Sequence, residues 1–85
     1  MVQLRMVLPT DDDADWALRE RRRTGDRIRD LRKRRQLSQE ELAVRAGVSR
    51  KTISRMELGA TASDIDQLNH VARALGVGTW RLFHD

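Results

Sequence analysis

The sequence predicts an all-α protein, with five short helices forming one module behind an N-terminal extension. Three observations predict it. Apolar residues between Ile28 and Leu75 recur at the three- and four-residue spacings of helical faces. Capping residues stand just ahead of those runs: Ser38 with Glu41, Ser49, and Ser63 with Asp66. Gly47, Gly59 and Gly76 stand just behind them, where a helix end takes a positive φ. At 85 residues the chain is long enough for one small core and too short for two.

In the extension, Val2, Leu4, Met6 and Leu8 alternate with Gln3 and Arg5 up to Pro9, which reads as a short strand. No other segment reads as β, so this arm is either disordered or paired with another molecule, for example its counterpart in a homodimer. Thr10 and Asp11 to Asp13 then resemble a helix start, with a capping hydroxyl and carboxylates at the positive end of the helix dipole. That helix would run to Arg23, with Ala14, Trp16, Ala17 and Leu18 as its apolar material. Thr24 and Gly25 suggest a break, since continuing a helix through glycine costs roughly 1 kcal/mol. Residues 1–23 are therefore read as arm and extra helix, and 24–85 as the main module.

Within the module, Ile28 and Leu31 share one face of a helix that ends near Arg35. Ser38 and Glu41 open the next helix as a capping box, and Leu42, Ala43 and Ala46 give it an inner face. Gly47 ends it. Ser49 caps a third helix through Leu58, with Ile53 and Met56 inward and Gly59 as its stop. A fourth helix carries Ile65, Leu68, Ala72 and Leu75 as a 3.6-residue stripe. Val77, Trp80 and Phe83 belong to a short last helix or turn that covers the core, with the two aromatic residues as a lid on the core or a dimer contact.

Composition narrows the function. There is no cysteine, which excludes disulfides, cysteine-ligated zinc, iron–sulfur clusters and thiol nucleophiles. No run of ten apolar residues exists, so a transmembrane span and a secretory leader are not expected, and a cytoplasmic, nucleoid-associated protein is. The net charge of +4 hides an asymmetry: Arg19 to Arg55 holds 14 of the 17 basic residues against 5 acidic ones, a net of +9, while the remainder nets −5. Such a segment suits a polyanion. His70 and His84 have no catalytic or metal-ligand partners at a recognisable spacing, so neither an enzyme nor a cofactor is expected.

Two short helices joined by a tight turn, the first ending at glycine and the second starting at a serine cap, form a helix-turn-helix. Ala43 is small where the helices cross, Gly47 turns, and Val48, Ile53 and Met56 fix the second helix on the first. The text IRDLRKRRQLSQEELAVRAGVSRKTISRMELG, followed by DIDQLNHVARALGV, closely resembles the Cro and lambda-repressor class, also called the XRE family, of DNA-binding domains. The resemblance covers about two-thirds of the chain. It implies a five-helix domain that binds double-stranded DNA as a homodimer, with the helix after Ser49 in the major groove.

Residue by residue, Gln39 sits at the start of the second helix, exposed by its spacing, and the resemblance implies a phosphate contact for it. Arg50 and Lys51 lie in the first turn of the groove helix and can reach guanine O6 and N7. Ser49 is partly occupied as a cap, Thr52 faces the DNA backbone, and Ser54 and Arg55 complete the outer face one turn on. The resemblance also implies an ion pair between Arg32 and Glu57 that orients the groove helix. A second reading has a different class: an antitoxin-like or adaptor module whose N-terminal arm binds a partner protein. It is motivated by the arm and by Trp16, which DNA binding does not require.

Overall fold

The computed structural model describes residues 11–84, with side chains from Ala14 onward. The predicted arm and the Thr10 cap lie outside the described residues. Among those described there is no strand, and four α-helices are followed by one 3₁₀ turn: α1 (Asp11–Arg34), α2 (Gln39–Ala46), α3 (Arg50–Leu58), α4 (Ile65–Ala74) and η1 (Thr79–Leu82). The expected count of five helices in the module plus one extra is thus corrected. The extra helix and the first module helix are a single element, and of the helix or turn expected last the structure has the turn, in 3₁₀ form.

Gly25 does not break α1, because it serves packing rather than turning. A β-carbon at Gly25 would lie 2.3 Å from the Met56 carbonyl oxygen and 2.5 Å from that of Glu57, so only glycine lets α3 press its last turn onto α1. The approach continues at Gly59, whose φ of 66° is left-handed and where a β-carbon would lie 2.8 Å from the Arg22 nitrogen. The propensity cost of glycine inside α1 is offset by this close crossing. Arg21 strengthens it by donating from Nε to the Gly59 carbonyl at 3.4 Å.

The two central helices follow their local signals. The Ser38 hydroxyl accepts from the Glu41 N–H and the Glu41 carboxylate accepts from the Ser38 N–H, both at 3.0 Å, so each satisfies a donor the helix leaves orphaned. These hydrogen bonds with Ser38, backbone first and hydroxyl second, hold the Glu41 carboxyl below its ordinary pKa. Gly47, at φ 71°, ends α2, and the Val48 N–H returns to the Ala43 carbonyl. Ser49 caps α3 by accepting from the Thr52 N–H at 3.0 Å.

The core lies between α1, α2, α3 and α4, around Ile28, Leu42, Ile53, Val71, Leu75 and Leu82, each almost wholly buried. Three expectations are corrected at its edge. Asp64, not Ser63, caps α4, its carboxylate accepting from the Gln67 N–H at 2.7 Å. Ile65 therefore occupies the first helical position and is 61% exposed, while Val71 takes the inward place beside Ala72. Trp80 and Phe83 are 61% and 48% exposed, and the lid on the core is Leu82.

Candidate nucleic-acid interface

α3 packs on α1 and α2, and α4 with η1 lies on other sides of those two helices. One face of α3 is thereby left uncovered. Its inward positions are Ile53 and Met56, and its exposed positions are Arg50, Lys51, Arg55 and Leu58. Neither Arg50, Lys51 nor Arg55 forms a salt bridge among the described residues, and α3 has no acidic residue in its first turn. The face is a short cationic ridge at the start of a helix.

The ridge is held in place by a polar cluster at the C-terminal end of α3. Glu57 is 6% exposed and would be costly to bury as an unpaired charge. Arg32 approaches from α1 and binds it in bidentate fashion, Nε to Oε2 at 2.6 Å and Nη2 to Oε1 at 2.9 Å. The Gln39 amide donates to Glu57 Oε1 at 3.1 Å, and Arg32 Nη1 donates to the Leu37 carbonyl at 2.9 Å. Three elements thus converge on one carboxylate: α1, the first residue of α2, and α3. The hydrogen bond with Glu57 raises the pKa of Arg32, burial opposes the rise, and the charge of the carboxylate adds to it.

Of the nine residues singled out from the sequence, the structure gathers Arg32, Gln39 and Glu57 into this cluster. It pairs Ser49 with Thr52, whose hydroxyls lie 2.9 Å apart. Arg50, Lys51 and Arg55 stand on the open face. Two placements differ from expectation. Gln39 is half-buried rather than exposed, because its amide reaches back to Glu57. Ser54 is half-buried and lines a cleft of about 260 Å³ with Arg29, Arg32, Gln39, Glu57 and Leu58, instead of completing the outer face.

Sequence reasoning passed over Arg29, which forms the α1 wall of that cleft. Its helical offset of three residues from Arg32 was the available signal. The charge count over Arg19 to Arg55 also treats its basic residues as one population. Several members bind carbonyl oxygens at the ends of other elements: Arg21 that of Gly59, Arg27 that of Arg81 at 3.1 Å, and Arg35 that of Leu75 at 2.9 Å. Among the described residues, no group of three or more His, Asp and Glu side chains could hold a metal ion, and no helix is long and apolar enough to cross a membrane.

A family model described as helix-turn-helix matches residues 28–79, more than half of the chain. An uncharacterized HTH-type transcriptional regulator from Methanothermobacter thermautotrophicus is 47% identical over 49 residues, covering 58% of this chain and 71% of that protein. The restriction-modification controller protein C.AhdI from Aeromonas hydrophila has a similar crystal structure, with a TM-score of 0.75 and 31% identity, over 76% of this chain and 98% of that one. The hypothetical transcription factor NHTF from Neisseria gives a TM-score of 0.73 at 28% identity, over 98% of this chain and 88% of that one. ComR from S. thermophilus gives 0.68 at 30% identity, but this chain, 73% of which is matched, spans only 21% of it.

Proposed function

This chain belongs to the helix-turn-helix family of the Cro and lambda-repressor class, and from that premise we propose that it is a sequence-specific repressor that binds a pseudo-palindromic operator as a homodimer. The observation that carries the proposal is the cationic ridge of α3, without a salt bridge among the described residues and held on a buried ion pair that fixes its direction. In this reading α3 enters the major groove. Arg50 and Lys51 meet base edges, each good bidentate contact being worth roughly 1–3 kcal/mol of discrimination. Arg55 lies one turn along on the same open face. Ser49, Thr52, Gln39 and Ser54 flank the ridge with hydroxyl and amide donors for the DNA backbone.

A homodimer would repeat the ridge about 34 Å away, one turn of the double helix. The surface proposed for self-association is that of Trp80 and Phe83, two large exposed aromatic residues on a turn that packs on α1 and α4, away from the ridge. The names of the similar proteins, three of which refer to control or transcription, support the regulatory role. Selection of bound sequences from random duplex DNA tests it. A two-fold symmetric motif is expected, and recovery of unenriched sequence would refute specific binding.

One observation favours a second reading, the protein-interaction module. Trp16, in the N-terminal part of α1, is a large exposed aromatic residue that DNA recognition does not require. Light scattering on the full chain and on a Trp16→Ala variant distinguishes them: loss of a hetero-complex with DNA binding intact would favour this reading.

A further inference from the structure

We infer that the edge of α1 bearing Arg22 and Arg29 is a second contact with the DNA backbone, in which Arg29 and Ser54 hold one phosphate at the mouth of the cleft between α1, α2 and α3. This rests on the DNA-binding reading and adds a set of contacts to it.

The cleft supplies the first part of the argument. Arg29 lines it from α1, Gln39 from α2, and Ser54 and Leu58 from α3. Its carboxylate, Glu57, already accepts three hydrogen bonds from Arg32 and Gln39, so its charge is compensated. The Arg29 guanidinium is exposed and forms no salt bridge among the described residues, unlike its neighbour Arg32. The mouth of the cleft is therefore positive, with a guanidinium and a hydroxyl converging from two elements. That is donor chemistry suited to a phosphodiester oxygen.

Helix geometry supplies the second part. Arg22 precedes Arg29 by seven residues, so it lies about 10 Å along α1 and within roughly 20° of the same face. The helix cannot swing away from α3 at this point, since the backbone of Arg22 closes on Gly59 and that of Gly25 on Met56 and Glu57. Lys33 continues the row one turn past Arg29, and Asp26 and Asp30 lie beside it, leaving three cations to two acids. Arg23, by contrast, points about 100° round the helix. It pairs with Glu20 at 3.5 Å and lines a different hollow with Leu82 and Phe83. The long α1 thus places a row of cations at a fixed distance from the ridge and carries it past the end of α3.

The test is the salt dependence of binding to a selected duplex and to a scrambled duplex of equal length. It compares the full chain with Arg22→Ala, Arg29→Ala, the double variant and Arg23→Ala. Each lost phosphate contact should reduce the slope of log K against log salt by about 0.9, and the double variant by about 1.8. The loss should be the same factor on both duplexes, with the selected motif unchanged. All three substituted positions are exposed, and circular dichroism confirms that the variants remain folded. A double variant with an unchanged slope, or an Arg23→Ala variant that loses as much, overturns the inference and leaves the regulator reading standing. Failure of the unaltered chain to bind any duplex overturns both.

Discussion

The basic residues of α1 and those of α3 meet different surroundings. Arg21 and Arg27 on α1, and Arg35 just past its end, each reach across to a carbonyl oxygen at the end of another element, and Arg32 binds Glu57 and the Leu37 carbonyl, so their charges hold the fold together. On α3, Arg50, Lys51 and Arg55 face solvent with no salt-bridge partner among the described residues. A count of cations gives both helices the same meaning. Their orientation relative to the core separates a structural role from a recognition role, and Arg22 and Arg29 stand on α1 with the second kind of surroundings.

The sharpest break in this comparison is at the ion pair that links the two helices. Glu57→Ala leaves Arg32 almost buried, with its side chain 11% exposed and without its carboxylate, and should cost about 3 kcal/mol in denaturant unfolding. Replacing both partners, Arg32→Met with Glu57→Leu, should cost less than the sum of the single changes. Additive losses would mean that the pair is uncoupled. Next in size is Gly25→Ala, whose β-carbon meets the α3 backbone. Overpacking at this crossing should cost about 2 kcal/mol, read by thermal or chemical melting, where an ordinary helix position would gain stability.

Smaller effects divide the two sets of cations. Arg35→Ala removes the donor to Leu75 and should lower stability by about 1 kcal/mol, a charged hydrogen bond discounted for partial exposure. Arg55→Ala should leave unfolding unchanged within about 0.5 kcal/mol while weakening DNA binding. The reverse result for the two variants would dissolve the distinction. The smallest effect is at Glu41. Its pKa is depressed in the folded state, so its contribution is present above the ordinary carboxylate range and lost as pH falls through the lowered value. Glu41→Gln should flatten the acid limb of stability against pH and leave the neutral limb nearly unchanged.

What could be read from sequence was local, and what could not was tertiary. Ser38 with Glu41, Ser49, Gly47 and Gly59 set the limits of α2 and α3 because capping chemistry acts within four residues. The inward set from Ile28 to Met56 follows from helical periodicity. Gly25 was ambiguous, since a glycine that ends a helix and one that admits a neighbouring backbone look alike in one dimension. At the start of α4, Ser63 and Asp64 are both good caps, and choosing the wrong one turned Ile65 inward and left Val71 out. Trp80 and Phe83 read as a lid on the core or a dimer contact, and the lid is instead Leu82, which the 3₁₀ turn directs inward. The partners of Gln39 and Ser54 depend on how α1 crosses α3, which no local pattern encodes.

The central claim is that the first turn of α3 reads bases, and the binding of Arg50→Ala and Gln39→Ala to matched and scrambled duplexes tests it most directly. Arg50→Ala should lose affinity for the selected duplex, with discrimination relaxed at one base position in each half-site, while its affinity for scrambled DNA falls far less. Gln39→Ala should weaken both duplexes by similar factors. Equal losses on the two duplexes for Arg50→Ala would show that this side chain touches only the phosphate backbone, and would contradict base reading by α3.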